Sequence, residues 1–343
     1  MKIFKFAFAS SLAFLCLSPN TAAQWVKQTV NTKASFRGLS VVSEKVIWAS
    51  GTGGTVIKTT DGGKTWRVMA VPGADKLDFR DIEAFDAKTA YVLSIGNGDS
   101  SRIYKTINGG DTWAQQFTNP DPKAFFDAIA CWDANNCVAM SDPVDGRYVL
   151  ISTSNGATWT QPGKDRRSPP IPALEGEAAF AASGTCLVAR GKSDLYLVTG
   201  GSAARVFASR DRGQTWSVGE TPIAKGTAGS GVFSIAMSDE KTGLIVGGNY
   251  EKPEDAERTL AYTNNGGLVW AARSGLTGYR SAVTYIDDRT VIAVGTNGTD
   301  VSYDRGETWR KAGSENLNAV AAKGRRAVWA VGANGMVVTW PSK

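Results

Sequence analysis

The phrase Thr59-Thr60-Asp61-Gly62-Gly63-Lys64-Thr65-Trp66 occurs in six related forms along the 343-residue chain. The six copies occupy residues 59–66, 106–113, 152–159, 209–216, 263–270 and 302–309. Their starting points lie 47, 46, 57, 54 and 39 residues apart, which is the period of a four-stranded propeller blade and is too long for a leucine-rich solenoid. The repeat therefore predicts an all-β fold, a β-propeller.

Three strand-like runs precede each phrase. In the first unit they span residues 36–42, 46–50 and 55–59, separated by turn-forming residues. The matching innermost runs of the later units are residues 79–85, 126–132, 184–190, 231–237, 279–285 and 317–322. The last run belongs to a seventh unit that has no complete phrase.

This seventh unit also lacks a fourth strand, because its runs 317–322, 327–331 and 336–340 bring the chain almost to its end. Residues 24–30 resemble the strand that follows a phrase, as in residues 65–71. The N-terminal segment can thus complete the last blade and leave no long unpaired edge. The sequence predicts a seven-bladed β-propeller whose last blade is closed by the N-terminal strand.

The repeated phrase has the chemistry of a turn, and we call its six copies the box turns. Asp or Asn can accept hydrogen bonds from turn amides, glycine permits a positive φ, and tryptophan packs between sheets. The acceptors are Asp61, Asn108, Asp211, Asn265 and Asp304, whereas Ser154 interrupts the pattern in the third copy. Six of the eleven tryptophans are thereby assigned to packing.

The first residues read as a secretory leader. Lys2 and Lys5 precede an apolar stretch over residues 3–17, and the small residues 21–23 resemble a cleavage site. The predicted division is a signal peptide over residues 1–23 and one propeller, with its box turns, over residues 24–343. We expect a periplasmic or secreted protein that is monomeric and not stably inserted in a membrane.

Removal of that leader leaves 36 basic and 32 acidic residues, a balance of +4. This mildly basic surface has no basic arm or stripe, so nucleic acid is not an expected partner. The chain contains no histidine. Its absence removes the commonest general base and zinc ligand, and no cofactor is expected.

Three cysteines follow the leader: Cys131, Cys137 and Cys186. Cys131 and Cys137 flank a short turn, so antiparallel strands would bring them together, and we expect a disulfide between them. Cys186 lacks an evident partner and is expected to be a buried small apolar residue.

Arginines occupy similar positions at the start of three innermost runs: Arg37, Arg80 and Arg280 each follow an aromatic residue. Grouped at a channel mouth, they would suit an anionic group or an acidic peptide through forked hydrogen bonds. Alternatively, each pairs with a neighbouring carboxylate such as Asp81 or Asp127. The sequence leaves both readings open.

Polar insertions on the same face supply further candidates. Residues 141–147 contribute Asp142 and Arg147, residues 249–255 contribute Tyr250 and Glu251, and Glu177 precedes the fourth blade. Loops on a propeller carry function, but long loops are also variable surface, and both interpretations stand.

The seven units, the tryptophan-ended box turns and the second-strand motifs such as residues 292–295 and 329–332 resemble the photosystem II stability and assembly factor family. Residues 140–147, 181–185 and 246–250 resemble its non-photosynthetic bacterial branch. This resemblance, which also includes Asp-box or BNR repeats, implies a non-enzymatic scaffold that holds a protein partner during assembly of an envelope complex.

Two other functions remain open. A glycoside hydrolase would use carboxylates, of which Asp127, Asp142, Glu177 and Glu251 are best placed, although residues 37–39 depart from the sialidase motif. A glycan-binding propeller would use exposed aromatic residues such as Tyr250 and Tyr279. Redox chemistry has no support, since there is no CxxC pair or nucleotide-binding glycine motif.

Overall fold

The computed structural model describes residues 25–161 and 171–341. The proposed leader, residues 1–23, lies outside these ranges. The strands, in chain order, are β1 (Val26–Lys27), β2 (Phe36–Val41), β3 (Ile47–Gly51), β4 (Thr55–Thr59), β5 (Arg67–Ala70), β6 (Phe79–Ala84), β7 (Ala90–Ser94), β8 (Arg102–Thr106), β9 (Ala114–Thr118), β10 (Phe126–Asp133), β11 (Asn136–Val144), β12 (Arg147–Thr153), β13 (Ile171–Pro172), β14 (Glu177–Ala178) and β15 (Leu187–Arg190).

The second half of the molecule contains β16 (Asp194–Val198), β17 (Gly200–Gly201), β18 (Arg205–Ser209), β19 (Ser217–Glu220), β20 (Ser230–Met237), β21 (Gly243–Asn249), β22 (Leu260–Thr263), β23 (Ala271–Arg273), β24 (Ala282–Tyr285), β25 (Val291–Gly295), β26 (Gly298–Ser302), β27 (Arg310–Gly313), β28 (Leu317–Ala322), β29 (Val328–Gly332) and β30 (Val337–Thr339). A 3-10 turn at Gly98–Ser100 is the one helical element of the described residues, and no helix there could cross a membrane.

These strands form seven antiparallel sheets, which confirms the predicted seven-bladed propeller. The last blade has the order β1-β30-β29-β28, with Val26 opposite Thr339. The N-terminal strand therefore closes the ring, as the sequence predicts. Trp25 packs edge-on against Trp340 at this junction, with ring centroids 4.9 Å apart, and its indole donates to Thr299 in the neighbouring blade.

Apolar side chains from facing sheets fill the spaces between blades. Strands such as β3, β7, β25 and β29 are buried along their whole length because a sheet covers each of their faces. Box-turn tryptophans contribute to these layers: Trp66 lies edge-on to Trp329 of the preceding blade, at 5.6 Å between centroids. Burial between blades thus explains the continuous apolar runs in the sequence.

Asp61 shows how a box turn is held. Its Oδ1 accepts from the Thr65 amide at 2.9 Å, and its Oδ2 accepts from the Thr65 hydroxyl at 2.6 Å. In the third blade the alignment by sequence places Ser154 at this position, but the structure gives the role to Asn155. Asn155 Oδ1 accepts from the amides of Ala157 and Thr158, so this turn is one residue shorter on its C-terminal side.

Cys131 lies opposite Cys137 on β10 and β11, and a disulfide joins them with an S–S length of 2.03 Å. Cys186 is a buried free thiol.

Residues 141–147, expected as a loop, are mostly strand: β11 and β12 extend to a two-residue turn at Asp145 and Gly146. Both turn residues have positive φ, 50° and 77°, as a tight Asp-Gly hairpin requires.

Candidate functional site

The innermost strands of five blades share an irregularity near their start. Strands β2, β6, β10, β20 and β28 each slip by one residue in their pairing with the next strand. A β-bulge of this kind leaves one residue unpaired and re-aims its side chain. The five bulge residues are Arg37, Arg80, Asp127, Phe233 and Asn318.

All five bulge residues line one cavity of about 440 Å³. Its other walls come from Phe125, Asp142, Ala179, Phe180, Ala181, Ala182, Tyr250, Tyr279, Ser281 and Thr296. The residues span six successive blades and the segment that enters the fourth. Because the ring brings the strand starts together, the cavity lies where the innermost strands converge.

Residues 179–182 line this cavity, and we call the segment from residue 179 to residue 186 the plug. The sequence predicts a strand from residue 184, but β15 begins only at Leu187, and the preceding residues turn across the ring. Ala179 donates its amide to Asp142 Oδ1 at 2.7 Å, and Ser183 Oγ donates to the Ser281 carbonyl at 2.9 Å. The plug therefore ties the third, fourth and sixth blades together.

Arg37 and Arg80 hold the plug from the opposite side. The Arg37 Nη1 donates to the Ala182 carbonyl at 3.1 Å, and the Arg80 Nη1 donates to the Ala181 carbonyl at 3.3 Å. Gly184 approaches the neighbouring strand so closely that a Cβ atom would lie 2.2 Å from Asp81 Oδ1. A residue with a side chain does not fit there, and its φ of 77° also favours glycine.

The two cavity arginines differ in their ion pairs. Arg80 Nε contacts Asp78 Oδ2 at 2.8 Å, whereas no carboxylate of the described residues lies within 4.0 Å of the Arg37 guanidinium. Burial lowers the pKa of Arg37, and the positive charge of Arg80 lowers it further. Arg37 therefore keeps an uncompensated positive charge inside a half-buried cavity, where an anion would be attracted more strongly than in water.

Two carboxyl groups share the cavity with these arginines. Asp127 is 1% exposed, and burial, followed by the charge of Asp142, raises its pKa well above the usual range. Burial likewise raises the pKa of Asp142 to about 6. Beneath the plug, Asp81 accepts from the amides of Ile82 and Ile129, both at 2.8 Å, but burial still raises its pKa to about 7.

An aromatic cluster forms the remaining wall. Phe180 stacks on Phe233 with centroids 3.8 Å apart, and Tyr279 lies edge-on to Phe233 at 4.7 Å. Tyr250 stands at 82° to Phe180, and 47% of its surface is exposed. Of these residues, sequence reasoning named Tyr250 and Tyr279 and missed Phe180, Phe233 and Asn318. An alignment of the second position in each innermost run would have found Asn318, whereas Phe233 is the third residue of its run.

Arg280 does not belong to this surface, so its assignment as a binding residue is wrong. It is 0% exposed, and its Nε and Nη2 contact Asp300 Oδ2 at 2.9 and 2.6 Å. The remaining guanidinium hydrogens go to Thr277, Asn297 and the Tyr279 carbonyl. The reason is local: Arg280 has a carboxylate of its own blade within reach, and five hydrogen bonds use all its donors.

Glu177 is also internal. Its side chain is fully buried and bound by the Arg205 guanidinium, and its Oε1 accepts from Thr199 at 2.6 Å. Arg147 and Glu251 are exposed and do not line the cavity. Of the four carboxylates considered for hydrolysis, only Asp127 and Asp142 come together.

Comparison with known proteins bears on the fold. No protein-family model matches the chain, and no curated protein matches it. Among solved structures, YCF48 bound to D1 peptide aligns with a TM-score of 0.69 and 15% identity over 95% of this chain and 99% of that chain. YCF48 from Cyanidioschyzon merolae aligns with a TM-score of 0.61 and 17% identity over 93% and 99% of the two chains. The chain is similar in fold to YCF48.

A third similar structure is the extracellular domain of the putative hybrid two component system BT4673 from B. thetaiotaomicron. Its TM-score is 0.59 and its identity 12%, over 92% of this chain and 40% of that chain. These neighbours agree with the seven-bladed propeller that the sequence predicts. At these identities the likeness concerns the fold alone.

Proposed function

We propose that this chain is a non-enzymatic propeller that binds a peptide segment of a protein partner at the Arg37 and Arg80 cavity. The observation that carries the proposal is the Arg37 guanidinium, which lies in the cavity without a carboxylate partner among the described residues. A similar propeller, YCF48, has been solved with a D1 peptide bound. An acidic segment would supply the missing charge through forked hydrogen bonds.

The partner we propose is an envelope protein, and the chain acts on it outside the cytoplasm as a monomer. The leader over residues 1–23 supports export, and the resemblance to the non-photosynthetic branch of the assembly-factor family supports a role in assembly. Cell fractionation tests the location, and N-terminal sequencing of the exported protein should begin at Gln24. Light scattering of the purified protein tests the monomer.

The binding test compares wild type with Arg37→Glu/Arg80→Glu by affinity purification from the cell envelope. The matched control is Arg67→Glu/Arg310→Glu, which makes the same change in net charge on the exposed outer strands β5 and β27. Peptides tiled along each captured protein are then measured by fluorescence anisotropy. Thermal unfolding verifies that all three proteins are folded.

The cavity variant should lose binding by about 100-fold or more, because each charge-assisted hydrogen bond contributes about 1.5–3 kcal/mol. The outer-strand control should bind like wild type at moderate salt. Equal binding by the folded cavity variant and the control would overturn the proposal, as would the absence of any peptide that binds wild type.

A further inference from the structure

One buried oxygen atom of the cavity accepts no hydrogen bond from the described residues. Asp127 Oδ2 is buried, and no hydrogen-bond donor of the described residues reaches it. A buried oxygen that accepts no hydrogen bond lowers stability by about 1–3 kcal/mol. Such atoms are therefore rare unless a ligand or a water molecule donates a hydrogen bond to them. Because Asp127 is a bulge residue that lines the cavity, a donor could come from the cavity side.

Asp142 adds a second carboxyl at the same end of the cavity. Its Oδ1 accepts from the Ala179 amide at 2.7 Å, and neither Asp127 nor Asp142 has a basic side chain within 4.0 Å in the described ranges. Two neighbouring carboxyls that lack a cation raise each other's pKa and share protons. A bound ammonium or guanidinium would remove this repulsion.

The aromatic wall suits the same kind of ligand. Phe180 and Tyr250 meet at 82°, with 6.4 Å between their centroids, beside the stacked Phe233. Aromatic walls at steep angles next to a carboxylate are a typical environment for an ammonium group, whose charge is attracted by the ring faces. Tyr250 is largely exposed and can contact a ligand at the rim.

We propose that the cavity recognises an amphoteric peptide segment, in which an acidic side chain binds Arg37 and Arg80 while a neighbouring basic side chain binds Asp127 and Asp142 against the aromatic wall. The inference rests on the proposed function and specifies its ligand. The cavity is lined by two arginines and two carboxyl groups, so a ligand with both charges compensates both kinds of group, whereas an acidic ligand compensates only the arginines.

The surroundings of Asp127 favour a cation over a neutral donor. The groups that interact with its charge are Arg80 on β6, Asp142 on β11, Tyr148 on β12 and Cys186 of the plug. Only Arg80 is basic, and it is already paired with Asp78. A ligand cation would favour the ionised carboxyls, so binding should release protons and weaken as pH falls below about 6, the pKa of Asp142.

The experiment uses short synthetic peptides with blocked termini, so that side chains carry all their charge. Each contains one Glu and one Lys at a graded set of spacings in a Gly-Ser background. Matched peptides replace Lys by norleucine or Glu by Gln. Isothermal calorimetry measures affinity, and buffers of different ionisation enthalpy measure proton release.

For the best spacing, wild type should bind the Glu-Lys peptide at least tenfold more tightly than the Glu-norleucine peptide, with proton release near pH 6. Asp142→Asn should abolish both differences while it keeps the dependence on Glu. Asp127→Asn tests the same end independently if Asp142→Asn fails to fold. The control Asp145→Asn, an exposed residue at the nearby hairpin turn, should behave like wild type.

Two results separate failure of this inference from failure of the proposed function. If the Glu peptides bind in an Arg37-dependent manner but norleucine replaces Lys without loss of affinity, water or a neutral group donates to Asp127 and the inference is wrong. If no peptide from either the designed series or the captured partner binds wild type, the proposed function itself is wrong. Equal proton release by wild type and Asp142→Asn would also overturn the inference.

Discussion

Replacement of Arg280 by methionine should destabilise the propeller strongly, although a binding role was one of the two readings that the sequence left open for this arginine. The side chains of Arg280 and Asp300 are both 0% exposed and contact each other at 2.6 Å. Methionine would leave the Asp300 carboxylate buried, and the donors that remain for it in the described part of the chain are the amide and hydroxyl of Thr277. Removal of one partner from a buried ion pair costs about 3–5 kcal/mol of unfolding free energy.

That loss can be measured as a shift in melting temperature. At about 2.1 cal/mol/K per residue, a chain of this length unfolds with an entropy of about 0.7 kcal/mol/K, so the expected decrease is about 4–7 °C. The control is Arg67→Met, which removes an exposed arginine whose ion pair with Asp111 should contribute about 0–1 kcal/mol. Calorimetry and urea unfolding give the melting temperature and the free energy independently.

A second variant separates the buried charge from the lost packing. Arg280→Met/Asp300→Leu removes both charges, so it should lose less stability than Arg280→Met alone. A decrease of less than about 2 °C for Arg280→Met, or one no larger than that of Arg67→Met, would refute the argument that Arg280 is structural. The cavity should then be redefined to include it.

Three further outcomes follow from the fold. Gly184→Ala should cost at least about 2 kcal/mol in urea unfolding, because its Cβ would meet the buried Asp81 at 2.2 Å and its backbone has a positive φ. Asp304→Asn should be less stable than wild type at neutral pH, since hydrogen bonds lower the pKa of Asp304 to about 2; the difference is fully present above about pH 4 and should vanish as pH falls through about 2 in a pH series of melting temperatures. Replacement of Cys131 and Cys137 by serine should cost only about 2 kcal/mol, because the bridge spans a sequence separation of 6 and closes a short loop, and added reductant should produce the same shift in wild type.

The repeat predicted most of the fold because its signal is local. Each box turn needs an Asp or Asn, a glycine and a tryptophan at fixed spacing, and the intervals between turns are those of one blade. The closure of the ring could also be predicted from the sequence, since the seventh unit lacks a strand and residues 24–30 resemble one. The interruption at Ser154 was misplaced by one residue because Asn155 can supply the same acceptor from the next position.

The candidate site was predicted in part. Arg37, Arg80, Asp127, Asp142 and Tyr250 do line one cavity. Three of them lie at the start of innermost strands, Asp142 lies near the end of β11, and Tyr250 follows β21. The plug was missed because residues 184–190 were predicted as one strand, and no local pattern reveals that the residues before Leu187 turn across the ring. Its hydrogen bonds come from other blades, far away in the sequence.

The sequence by itself determined the blade period, the number of blades, the closure by the N-terminal strand and the chemistry of the box turns, because these depend on residues within one repeat or on its regular spacing. Only the tertiary structure decided which arginines face the cavity. Arg37 and Arg280 occupy equivalent positions in their repeats. Five hydrogen bonds, among them those to Asp300 and Thr277, hold the Arg280 guanidinium, whereas within the described residues Arg37 donates only to the Ala182 carbonyl. The partners available in three dimensions, rather than the position in the repeat, determine whether a charge is internal or free to bind a ligand.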